Sequence, residues 1–258
     1  MALDVRPGGE GLPGGPGGPW SIEKAPADHF PRNFIRTAVC ELRFPTLFEL
    51  ESDRPPAAFN KVLRKEYPTY ELLRDLKVGG AGVAHSVAHA FRSKQARWSV
   101  TLRPSAVTLE TTQYESFAGF QQRLAVVVKA AASVIDSDFF TRIGLRYINM
   151  LPCGRDSAGE WVRPELVALL ASGAFGELAE CSGRVRGRTS TNDFALQYGL
   201  GNEVDTYAID IDVNSEEMAT NKVAATVDML HQEAFALFRW CVTEHTITEL
   251  RKKPEGKA

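Results

Sequence analysis

IRTAVCELRF, residues 35–44, is the stretch that decides the fold. Ala38, Cys40, Leu42 and Phe44 alternate with Thr37, Val39, Glu41 and Arg43. Successive side chains of a strand point to opposite faces, so this period of two predicts a strand whose first set faces a core and whose second set faces away from it. Pro45 closes the strand.

Outward from this strand the period changes repeatedly. Pro55 and Pro56 suit the first turn of a helix, and Phe59, Val62, Leu63 and Tyr67 recur at helical spacing until Pro68 stops it. Val78–Gly82 (VGGAG) reads as a linker within the domain, separating that helix from the next strand. Residues 83–92, 96–103 and 106–112 follow as three strands of a meander joined by short turns. Ser116–Ser133 carries the helical stripe Phe117, Phe120, Leu124, Val127 and Val128, and Phe139–Leu151 returns to strand. A helix at 163–172 precedes strands near 184–189, 194–200 and 207–213. From Met218 to Leu250, Val223, Val227, Leu230, Ala234, Leu237, Cys241 and His245 mark one face of a single long terminal helix. The segment 192–249 echoes 96–133 in its order of elements. The expected fold is therefore α+β, antiparallel sheets with amphipathic helices packed on one face, in two pseudo-repeated halves.

The chain has 258 residues, 44% hydrophobic and 24% charged, which excludes a wholly disordered or fibrous protein. One α+β domain is expected over 31–250, behind a disordered Gly/Pro-rich tail at 1–30 and ahead of a basic tail at 251–258. The net charge of −2 gives no global attraction to phosphate, so nucleic-acid binding requires a local basic patch. No apolar run reaches a membrane span and the start lacks a signal-peptide pattern, so no membrane partner and a cytoplasmic location are expected. Cys40, Cys153, Cys181 and Cys241 lack metal-ligand spacing and read as reduced, structural thiols.

No phosphate-binding glycine loop, nucleophile elbow or zinc helix is present, and no cofactor is implied. Four constellations remain. In RIGLRYIN (142–149), Arg142 and Arg146 share one strand face and Tyr147 and Asn149 the other; the arginines are too far apart to clamp one phosphate but fit a groove, and Asn149 fits a structural anchor or a pocket. Asp210 and Asp212 share a strand face, the pattern of a Mg²⁺ site, although a solvated face explains it more simply. Arg184, Arg186 and Arg188 share a face if extended. Arg186 and Arg188 would sit opposite Asp210 and Asp212, or else serve a phosphate groove with Arg97, Arg103 and Trp98. His231, flanked by Val227, Phe235 and Phe238, reads as a hydrogen-bonded packing residue rather than a catalyst.

The segments AVCELRFP (38–45), RWSVTL (97–102), RIGLRYINML (142–151), YAIDIDV (207–213) and LHQEAFALFRWCVTE (230–244) together resemble a sporadically distributed family of uncharacterised bacterial proteins of about this length. The resemblance implies stand-alone proteins like the accessory components found among mobile and defence-related genes. It directs attention to Glu41, Arg43, Arg142, Arg146, Tyr147, Asn149, Asp210, Asp212 and His231. The expected function is non-enzymatic: a binding or regulatory protein acting through a protein partner or as a homodimer, within a bacterial antiviral defence or toxin-antitoxin system. Two alternatives stay open, a metal-dependent nucleotide or nucleic-acid enzyme using Asp210 and Asp212, and a sensor of a small anionic ligand held by Arg142, Arg146 and Glu41.

Overall fold

A computed structural model describes residues 22–23, 30–79, 82–176, 178–189, 191–201, 203 and 205–253, with the backbone alone for 75–79 and 82–85. Of the expected N-terminal tail only Ile22, Glu23 and Phe30 are described, and Ile22 and Phe30 pack against the core; of the basic tail, 254–258 lie outside the described residues.

The elements run β1 (Ile35–Arg43), α1 (Ala57–Leu63), β2 (Thr69–Gly79), β3 (Gly82–Arg92), β4 (Trp98–Arg103), β5 (Ala106–Thr111), α2 (Phe117–Ala132) and β6 (Phe139–Leu151). They continue with α3 (Ala158–Trp161), α4 (Pro164–Ala171), β7 (Ser182–Arg188), β8 (Asp193–Leu200), β9 (Tyr207–Ala219), α5 (Val223–Cys241) and α6 (Glu244–Arg251). The nine strands among the described residues join one antiparallel sheet in the order β2-β3-β4-β5-β1-β6-β9-β8-β7.

The order explains the echo between the halves. Each half is a strand, a helix, a three-strand meander whose last strand returns beside the first, and a closing helix: β1-α1-β3-β4-β5-α2, then β6-α4-β7-β8-β9-α5. β2 is an addition to the first half. The halves meet where β1 pairs antiparallel with β6.

The core lies on one face. Ala38, Cys40 and Leu42 of β1, Ile143 and Leu145 of β6, and Ile209, Ile211 and Val213 of β9 are fully buried there, under Phe120 and Val127 of α2 and Val227 and Leu230 of α5. Removing each leucine, isoleucine, valine or phenylalanine of this set from water contributes about 1.5–3 kcal/mol, which is what fixes the strand register. Cys40, Cys153 and Cys241 are buried free thiols, and desolvation pushes each thiol pKa up to about 12, so they stay protonated and pack as small hydrophobes.

Three sequence expectations change. Residues 69–79 form a strand, so the expected linker does not separate a helix from a strand: Val78 pairs with Val83 and Gly79 with Gly82 at the end of a β2–β3 hairpin, and Gly80 and Ala81 lie outside the described residues. The mixed period of TYELLRDLKVG hid the strand; pairing along all of β3 makes it one. β9 extends to Ala219 because its polar end pairs with Phe139–Arg142 of β6. The terminal helix is two helices. Val242 bridges Val162, Arg163 N donates to the Cys241 carbonyl at 3.0 Å and Thr243 N to that of Trp161 at 3.0 Å, so the chain is drawn into extended pairing between α5 and α6. The apolar stripe holds through Cys241, whereas His245 lies exposed against the edge of Trp161.

Candidate functional site

The residues expected to carry function separate onto the two faces of the sheet. On the open face, β6 and β9 bring Arg142, Arg146, Asp210 and Asp212 together, and β1 adds Glu41 and Arg43. Arg146 grips Asp210 with two bonds, Nε to Oδ1 at 2.8 Å and Nη2 to Oδ2 at 2.6 Å. Arg142 Nη2 donates to both oxygens of Asp212 at 3.2 and 3.3 Å, and its Nη1 donates to Glu41 Oε1 at 3.3 Å. Arg43 Nε donates to the same Glu41 oxygen at 2.6 Å. The Arg142 guanidinium lies over Gly144, where an added Cβ would stand 2.7 Å from Nη1 and the side chain would have to shift.

Arg186 and Arg188 do not meet Asp210 and Asp212, because β8 lies between β7 and β9. Arg186 stands opposite Ala195, and Arg188 Nε donates to Asp193 at 2.9 Å. Arg142 and Arg146 take the aspartates instead. Trp98 turns to the helix face, tilted against Phe120 at 5.8 Å with the Arg123 guanidinium 4.6 Å from its ring centroid, so it offers no stacking platform beside the β7 arginines. Among the described residues no group of three His, Cys, Asp or Glu side chains is placed to hold a metal ion. What Asp210 and Asp212 do in this geometry is neutralise two arginines. Because Arg146 is 44% exposed, a double-mutant cycle of Arg146→Met and Asp210→Asn, followed by urea unfolding, is expected to give a coupling of only about 0.5–1 kcal/mol that shrinks with added salt.

The other face holds Asn149, Tyr147 and His231. They line a cavity of about 800 Å³ bounded by the chain at 30–35, the β5–α2 connection at 114–118, β6 and α5. Ser116 accepts the Gly119 N–H at 3.2 Å as the N-cap of α2, and this fixes the first turn that carries Phe117 into the wall. Phe117 stacks on the His231 ring, with centroids 3.7 Å apart and planes 12° apart. The Tyr147 hydroxyl lies 3.0 Å from His231 Nδ1, and Tyr114 packs edge-on against Tyr147 at 5.6 Å. Phe30, Phe34, Phe235 and Phe238 complete the aromatic wall.

The buried polar groups at the aromatic wall, His231, Tyr147, Tyr114 and Asn149, are uncharged. Burial drives the His231 pKa down to about 4, so the imidazole is neutral at pH 7. Burial raises the Tyr147 hydroxyl well above its ordinary value and pushes Tyr114 up to about 12, so both phenols keep their protons. The Tyr147 hydroxyl and His231 Nδ1 share one hydrogen bond, whose direction follows the imidazole tautomer. Asn149, 4% exposed, donates its amide N–H to the Ile209 carbonyl at 3.1 Å, which leaves the amide oxygen as an acceptor. The charged residues of the lining are Arg32, Glu115 and Asp228; Arg32 pairs with Glu249 at 3.7 Å and Asp228 accepts from Gln121 at 2.6 Å.

The sequence pointed to Tyr147, Asn149 and His231 separately but not to their shared cavity. It gave no role to Phe30, Phe34 or Tyr114, which arrive from segments without a common period; Phe117 in the stripe of α2, and Phe235 and Phe238 beside His231, were the wall residues visible from spacing. No protein-family model matches the chain, and no curated protein matches it.

Proposed function

We propose that this is a non-enzymatic binding protein and that its ligand is a small, uncharged, largely apolar molecule held in the cavity between α5, β6 and the β5–α2 connection. The carrying observation is the combination of an aromatic wall with a short row of neutral buried polar groups, Tyr147, His231 and Asn149. A cavity of about 800 Å³ is in the size range of small-molecule sites, which bury most of the ligand against apolar side chains and orient it with a few polar atoms. Among the described lining residues Arg32 is the one cation, facing Glu249 at 3.7 Å beside two further carboxylates, Glu115 and Asp228, a balance that disfavours an anion; Arg142 and Arg146, the arginines expected to receive one, are occupied by carboxylates on the opposite face. A neutral imidazole and two protonated phenols supply hydrogen bonds rather than a nucleophile with its base.

Nile red, a neutral apolar dye, tests this reading. Saturable uptake with a rise in dye fluorescence is expected. Ala118→Trp, at an exposed position of the lining, should cut the affinity about tenfold, as filling a pocket removes the buried area of its ligand. Absence of saturable uptake, or equal uptake by the variant, would overturn it.

A further inference from the structure

Strand β7 ends the sheet: it pairs with β8 on one side, and no other described strand borders it. Its sequence, SGRVRGR, places Arg184, Arg186 and Arg188 on the open face and Val185, 43% exposed, on the other. Arg188 is held by Asp193. Arg184 and Arg186 stand opposite Gln197 and Ala195 and form no ion pair among the described residues. They differ in this from Arg142 and Arg146, each already matched to a carboxylate. The edge therefore combines unpaired backbone donors and acceptors, two unneutralised arginines on one side and an exposed valine on the other.

We propose that the β7 edge receives an extended acidic segment of a partner protein as an added strand, with carboxylates at alternate positions against Arg184 and Arg186 and an apolar residue between them beside Val185. A strand added to a sheet edge takes its affinity from main-chain hydrogen bonds and its specificity from alternate side chains. Charge decides between occupants. A second copy pairing antiparallel about Val185 would set Arg184 of one chain against Arg186 of the other, and like charges directly opposite destabilise a strand pair. A nucleic acid would use the arginines but leave the edge hydrogen bonds and Val185 unused, and Trp98 faces the other way.

The test uses the full chain and a short fluorescent peptide of alternating Glu and Val, followed by anisotropy. Saturable binding is expected, weakened at least about tenfold by the double change Arg184→Glu and Arg186→Glu and by N-methylation of alternate peptide amides. Both arginines are exposed, so thermal unfolding of the variant should match that of the parent. Equal binding of the N-methylated peptide, or of one with its glutamates in a block, would reduce the effect to net charge and overturn the proposal. So would no saturable binding, or displacement of the peptide by a single-stranded oligonucleotide at lower concentration than by unlabelled peptide.

Discussion

Between pH 6.5 and pH 4 the folded protein is expected to lose about 3 kcal/mol of stability through His231 alone. An unfolded histidine takes up its proton near pH 6.5, whereas burial in the folded chain delays uptake to about pH 4. Within that window the unfolded state binds more protons, so stability rises with pH; acid favours unfolding until the folded state is protonated too, below about pH 4. No carboxylate is among the causes acting on the ring, and its polar contact is the Tyr147 hydroxyl. His89, buried and shifted down by desolvation, acts with the same sign. The difference between parent and His231→Gln isolates the effect: urea unfolding at pH 7 and pH 4.5 should show the smaller acid loss in the variant. Equal losses would place His231 in a wetter setting than the Phe117 stack provides.

Gly199→Ala is expected to destabilise the protein by about 3 kcal/mol and to release β7 from the sheet. Gly199 has φ +150° and pairs with Ser182 at the start of β7. A Cβ there would stand 2.2 Å from the Cys181 carbonyl oxygen and 2.7 Å from Ser182 Cα, atoms of the backbone that cannot turn aside. Gly173 is the control: its φ is +65° but nothing lies within 4 Å of its added Cβ, so Gly173→Ala should cost only about 1 kcal/mol of left-handed strain. Thermal unfolding gives the stabilities, and hydrogen exchange at 182–188 reports whether β7 stays paired. Loss of protection confined to β7 would also remove the edge that we propose takes an acidic strand.

The fold was legible wherever one face of an element is apolar. The alternation of 35–44, the stripe of α2 and the strand at 139–151 each carry their burial in their own period, and all three are found where that period puts them. What escaped was decided by a distant partner. β2 has no period of its own and exists through β3, while the break after Cys241 is made by residues 161–163, some eighty positions earlier in the chain. The candidate site divides in the same way. The shared face of Arg142 and Arg146, and that of Asp210 and Asp212, followed from parity, but which arginine meets which aspartate required the strand order. The cavity was the least legible, because its wall is assembled from separate segments and its emptiness belongs to none of them.

The seam between β1 and β6 also bears on how the chain comes to fold. The meander pairings within each half link near neighbours, whereas Ile35 pairs with Asn149 and Arg43 with Arg142 across roughly a hundred residues. During synthesis the first half emerges with the β1 edge open, and that edge stays unmet until the ribosome has delivered β6. The middle of the finished sheet is thus the last strand junction available to the nascent first half, and until β6 arrives its open β1 edge is the place where the growing chain can pair wrongly.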